Sequence, residues 1–167
     1  FVIIIIFFST LNAKNLDKFN KADNISDYFS GILLLNQAQY GDSYKYLKKL
    51  DGLEKSHSTY STSLIYSLVN SGNLNQAFNF SKKLEKEGSD SFESDLITGV
   101  YYLKNLKFDL SSKYFLRAKK RNSISLLDNY VINSLYFWSN VHNYELEKAA
   151  LTLANLDERF TNLKKIQ

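Results

Sequence analysis

The sequence predicts an all-α fold, a solenoid built as a stack of antiparallel helical hairpins. Three observations carry this. A turn-like stretch, Ser71-Gly72-Asn73-Leu74-Asn75-Gln76-Ala77, has counterparts one 34-residue step upstream, at Ala38-Gln39-Tyr40-Gly41-Asp42-Ser43, and one downstream, at Leu106-Lys107-Phe108-Asp109-Leu110-Ser111. A fixed period of that size marks a repeat architecture. After each turn the core-facing residues fall at helical spacing: Tyr40, Ser43, Tyr44, Leu47, Leu50; then Leu74, Ala77, Phe78, Ser81, Leu84; then Phe108, Ser111, Phe115, Ala118. That spacing puts each set on one helix face, which must be buried against a neighbour. Finally, Pro is absent, so nothing interrupts long helices, and no segment beyond the N-terminal run has a period of two.

Taken in order, residues Phe1 to Phe8 are an unbroken apolar run followed by Ser9-Thr10-Leu11-Asn12-Ala13. Residues 1–13 read as the apolar core and small-residue cleavage site of a secretory signal peptide. A membrane anchor and a buried strand are the other readings. Eight helical residues cover only ~12 Å of a ~30 Å hydrocarbon core, so the run cannot span a bilayer by itself. Export to the periplasm or outside the cell is the expectation, and anchoring or membrane association through this run is the alternative. Residues 14–23 are polar and aperiodic and read as a linker.

Helices are expected from about Ile25 to Gln37, Tyr40 to Leu50, Ser58 to Asn70 and Leu74 to Lys86. A fifth, capped by Ser89-Asp90-Ser91, ends near Lys104, and a sixth begins at Phe108. Gly52 and Gly88 serve as helix stops. A less regular hairpin follows, Asn129 to Asn140 and Tyr144 to Leu156, with Tyr136, Trp138, Leu146, Leu151 and Ala154 as its core. Residues 162–167 read as the start of a further helix. The chain contains no Met, and a fragment at both ends is expected. The connections are short, which forces successive helices to lie side by side and antiparallel.

Set out at 34 residues, the units are 24–57, 58–91 and 92–125, with a degenerate unit at 128–161. Mid-first-helix positions hold Gly31, Ile65 and Gly99; three positions on come Leu34, Leu68 and Tyr102. Early in the second helix come Ser43, Ala77 and Ser111, then Leu47, Ser81 and Phe115, then Leu50, Leu84 and Ala118. This pattern resembles the tetratricopeptide repeat, although that family's inter-repeat Pro is missing and Ile65 and Ser81 depart from it. The resemblance implies a right-handed superhelix in which small residues let helices cross closely.

Composition bounds the chemistry. Apolar residues make up 44% of the chain, enough for a core, and the net charge of +4 is a mild bias toward acidic partners. Without Cys there is no disulfide, thiol nucleophile or thiolate metal site. His57 and His142 lie far apart and read as solvated loop residues, so no metal site is expected. No glycine-rich phosphate loop exists, and no cofactor or catalytic residue is expected. Asp90, Glu93 and Asp95 read as complements to a helix dipole. So do the basic runs Lys48-Lys49, Lys82-Lys83 and Lys119-Lys120-Arg121, at the opposite helix ends.

By the tetratricopeptide resemblance, ligands lie in a concave groove lined by first helices. The lining would be Tyr28, Ile32 and Asn36, then Thr62, Tyr66 and Asn70, then Leu96, Val100 and Lys104, then Ile132, Tyr136 and Asn140. Asn36, Asn70, Lys104 and Asn140 would form a polar column, with Tyr28, Tyr66 and Tyr136 beside it. Asn and Tyr suit recognition of an extended peptide. The plainer alternative is that the tyrosines only pack between helices and the asparagines only end them. The leading expectation is a non-enzymatic scaffold that binds another protein or peptide. RNA binding by a helical array is less favoured, because the basic residues form no consistent stripe. A helical module of a larger enzyme is the third reading.

Overall fold

The computed structural model describes residues 22–121, 125–160 and 162; among these the chain is helical throughout, with no strand. The apolar run, residues 14–21 of the linker and residues 163–167 lie outside the described residues. Eight α-helices follow one another: α1 Ala22–Asn36, α2 Tyr40–Leu47, α3 Ser58–Asn70, α4 Leu74–Lys86, α5 Phe92–Lys104, α6 Phe108–Lys119, α7 Leu126–His142 and α8 Leu146–Ala154. The second helix is shorter than its apolar stripe predicts. It tightens into a 3-10 turn at Lys48–Leu50, a common way for an α-helix to end. The expected linker also yields its last residues, Ala22 and Asp23, to α1.

The starts of α3, α5 and α7 share one logic. Their N-caps are His57, Ser91 and Ser125, spaced 34 residues apart (57, 91, 125). His57 Nδ1 accepts from the Tyr60 backbone N–H at 3.3 Å. Ser91 and Ser125 form capping boxes with Ser94 and Asp128. A side-chain acceptor at this position satisfies one of the helix's otherwise unpaired N–H groups and is worth about 1 kcal/mol.

The turns into α2, α4, α6 and α8 also share one geometry. Ala38, Gly72, Leu106 and Tyr144 all take positive φ. The residue after each donates its N–H back into the preceding helix: Gln39 to Leu34 O, Asn73 to Leu68 O, Lys107 to Tyr102 O and Glu145 to Asn140 O, at 2.8–2.9 Å. This six-to-one bond satisfies a terminal carbonyl and turns the chain sharply. The left-handed conformation costs nothing at Gly72 but is strained at the three side-chain-bearing residues.

Each helix packs on its predecessor and its successor, and contacts that skip a helix join α1 to α3, α3 to α5 and α5 to α7. One core cluster unites Leu47, Leu50, Tyr60, Leu64, Leu68 and Ala77; another unites Phe115, Ala118 and Ile132. Within the first hairpin, a Cβ on Gly31 would lie 2.7 Å from Leu47, and within the third, one on Gly99 would lie 2.5 Å from Phe115. A side chain at either glycine would force Leu47 or Phe115 to move. Ser43 Oγ donates to Gly31 O at 2.8 Å, and Ser111 Oγ to Gly99 O at 3.1 Å, stapling the same two crossings. The middle hairpin inverts the sizes: Ile65 stands where the glycines are, and Ser81 where Leu47 and Phe115 are, and both are buried.

The last hairpin differs from its sequence-based expectation. Tyr144 follows Leu106 by 38 residues (144 − 106), not by 34. The N-cap of α7 is in register, so its C-terminal end carries about one additional turn. Its core is Ile132, Phe137, Ala149 and Leu156. The expected core residues Trp138, Leu146, Leu151 and Ala154 are exposed, and Tyr136 is half-buried. A two-residue displacement of the assumed unit rotates side chains by about 200° around the helix, which exchanges its inner and outer faces.

Candidate functional site

A cleft of about 510 Å³ opens between α3 and α5. Thr62, Tyr66 and Asn70 line it from α3, and Leu96 lines it from α5, as the groove reading expects. Helical spacing explains the first three: residues four apart stand one above the other on one helix face. Ile65 and Val69 from α3 and Phe92 and Ile97 from α5 make the floor mostly apolar. Glu93 and, from α7, Asp128 complete the margin. Tyr66 is 54% exposed, and its ring meets Tyr40 edge-on at 6.1 Å between centroids. Asn70 Nδ2 donates to Tyr66 O at 2.8 Å, so this asparagine ends its helix and also borders the cleft.

The other expected lining residues are distributed differently. Tyr28 sits in a separate cleft of about 270 Å³ with Phe29, Leu50 and His57. Its ring lies 5.1 Å from His57 and packs on the first core cluster. Ile32 is half-buried and Asn36 exposed on α1, away from the α3–α5 cleft. Val100 packs against the Phe115 cluster, and Lys104 is exposed at the end of α5. Ile132 is fully buried.

Tyr136 and Asn140 line a third cleft of about 470 Å³, together with Asp109, Ser112 and Lys113 of α6 and Lys148 of α8. Asn140 is 0% exposed, so the polar column does not extend to it. Its position matches the buried Leu68 and the half-buried Tyr102, counted back from the turn. The stripe on α7 equivalent to Thr62, Tyr66 and Asn70 is instead Ser134, Trp138 and His142. Trp138 is 40% exposed, and the His142 ring stacks on Phe108 at 5.1 Å. The sequence signal for this shift is faint, because the turn residue Tyr144 is neither Gly nor Asn.

The charged residues are mostly spent on packing. Arg117 of α6 pairs with Asp95 and Glu85, and Arg121 pairs with Asp95 and Asp90. The Asp95 side chain is fully buried, so two guanidinium partners compensate its desolvation. Lys82 bonds Glu85 and Tyr114, and Lys83 bridges Asp51 at 2.5 Å and Glu54 at 2.6 Å. Partial burial pushes the Glu85 carboxyl up, but hydrogen bonds from Lys82, Arg117 and Tyr114 and the charge of Arg117 outweigh it, holding it at about 2. Asp90 and Asp95 thus join helices, beyond the dipole role read from the sequence. The pairing was not legible there because its partners lie 22–32 residues apart.

No helix among the described residues is long and apolar enough to cross a membrane. No protein-family model matches the chain, nor does any curated protein or solved structure.

Proposed function

We propose that the chain is a right-handed α-solenoid of the tetratricopeptide kind, and that it works as a non-enzymatic scaffold holding a segment of a partner protein against its first helices. The observation that carries this is the open, apolar cleft between α3 and α5, with an exposed Tyr66 at its edge. Apolar floors with a few polar margins favour an anchored side chain and a hydrogen-bonded backbone. The recurrent turn at Ala38, Gly72 and Leu106, the glycine crossings and the contacts that join α1, α3, α5 and α7 support the solenoid reading. In such a stack, first helices sit side by side and their faces form one continuous surface.

Display selection of random peptides on the purified chain tests the reading. Selected peptides should lose about tenfold in affinity on Tyr66→Ala or Leu96→Ala, with helicity unchanged, as expected when one anchor contact of about 1.4 kcal/mol is removed. Peptides that bind equally well to both variants would refute the groove assignment. The same proposal takes residues 1–13 as an export signal. Mass spectrometry of the protein from its native cell should then find a mature N-terminus near Lys14, and retention of Phe1 to Phe8 would overturn it.

A further inference from the structure

We infer that the segment held in the α3–α5 cleft is basic and amphipathic, an apolar anchor flanked by Lys or Arg; this rests on the groove reading and adds the partner's charge. The argument begins with what lines the cleft. Its floor is apolar, and among the described residues its only charged lining residues are Glu93 and Asp128, with no Lys or Arg lining it. Neither carboxylate forms an ion pair with any described residue. Elsewhere in the molecule, Asp27, Asp51, Glu54, Glu85, Asp90 and Asp95 are paired with a cation, whereas Asp23, Glu87 and Glu147 lie away from the cleft and, like these two, form no ion pair with a described residue.

Both carboxylates are also held in place. Glu93 Oε2 accepts from Ser91 Oγ at 2.7 Å, and Asp128 Oδ2 accepts from Ser125 Oγ at 2.6 Å. The other oxygen of each accepts no hydrogen bond from a described residue. An apolar segment laid over the floor would strip water from these carboxylates and leave them unpaired, a costly outcome. A cation beside the anchor removes that cost and gains charge-assisted hydrogen bonds to groups already fixed in position. An acidic segment would be repelled from the same margin.

The test uses short fluorescein-labelled peptides built on one apolar anchor taken from the display selection, flanked by Lys, by Gln or by Glu. Binding is followed by polarisation at low and high salt. The Lys peptide should bind about three- to tenfold more tightly than the Gln peptide, the Glu peptide more weakly, and added salt should shrink the difference. The combined variant Glu93→Gln and Asp128→Asn keeps side-chain oxygens that can still cap the helices. It should erase the preference among the three peptides, and the Gln peptide should bind it no more weakly than it binds the parent chain, because the desolvation cost of the carboxylates is gone. Equal binding of the three peptides, or a preference that survives in the combined variant, would overturn this inference and leave the groove reading standing. If no anchor peptide binds, or if binding ignores Tyr66→Ala, the groove reading fails and this inference falls with it.

Discussion

Ile65 and Ser81 should behave as an exchanged pair, and a double-mutant cycle measures this directly. In the flanking hairpins the first position is Gly31 or Gly99, and the second is Leu47 or Phe115, which fills the space a Cβ would need. In the middle hairpin the bulk sits on the other helix: Ile65 is 3% exposed and Ser81 1%. Ile65→Gly removes a whole buried side chain and adds a helix-propensity penalty, together about 3–5 kcal/mol. Ser81→Leu crowds the site by about 1–3 kcal/mol. It also removes a buried hydroxyl that has no hydrogen-bond partner among the described residues, which offsets part of that cost. With both changes, the middle hairpin acquires the Gly–Leu pair of the first, and the new Leu fills the space that Ile65 vacated. The double variant should therefore be about 1–3 kcal/mol more stable than the summed singles predict. Ile65 also floors the cleft, so recovery should stop short of the parent's stability. Urea denaturation followed by circular dichroism supplies all four free energies. If the singles add to within ~0.5 kcal/mol, the two side chains do not share a space and the size exchange is refuted.

Gly99→Leu drives a side chain into Phe115 and should destabilise the protein by at least ~1–3 kcal/mol, read from the urea midpoint; an unchanged midpoint would place that helix crossing elsewhere. Tyr144→Gly relieves a left-handed residue at φ 59° that is 91% exposed, so little packing is lost and the melting temperature should rise, with a gain of about 0.5–1 kcal/mol. The depressed Glu85 carboxyl makes stability pH-dependent. A carboxyl held at about 2 in the fold but at its ordinary 4.5 when unfolded contributes fully above the higher value and loses its contribution as pH falls from about 4.5 toward about 2. The loss is at most about 3 kcal/mol. Glu85→Gln should flatten the urea midpoint's fall over that window, and an identical pH profile in the variant would exclude Glu85 as its source.

The parts of this fold that were legible in the sequence are those set by local pattern. The boundaries of α3 and α4 were readable because an apolar period of 3.6 meets Gly72 and Gly88, both at positive φ. Thr62, Tyr66, Asn70 and Leu96, which the tetratricopeptide resemblance assigns to a groove, do line the α3–α5 cleft, whereas Val100 and Lys104, one period on from Tyr66 and Asn70, do not. The last hairpin was misplaced because α7 starts in register and ends about one turn late. A compromise of two residues then selects the wrong side of the helix, which is how Ile132 and Asn140, both fully buried, came to be read as groove residues.

Glu93 and Asp128 were hidden for a different reason. One was read only as a dipole complement, and the other was not singled out. Each sits in the first turn of its own helix and satisfies a local cap, so its sequence context is fully explained without a ligand. Only the packing of α3 beside α5, with α7 beyond, brings both to the rim of one apolar cleft that no Lys or Arg among the described residues lines. Their shared position is therefore a property of the packed helices. A period shift does not transfer their charge, because the positions one unit earlier hold Thr59 and Ser94. If the stack is a scaffold, its common surface comes from the repeated pattern. Its selectivity must come from such unrepeated residues, and Glu93 and Asp128 are two of those beside the cleft.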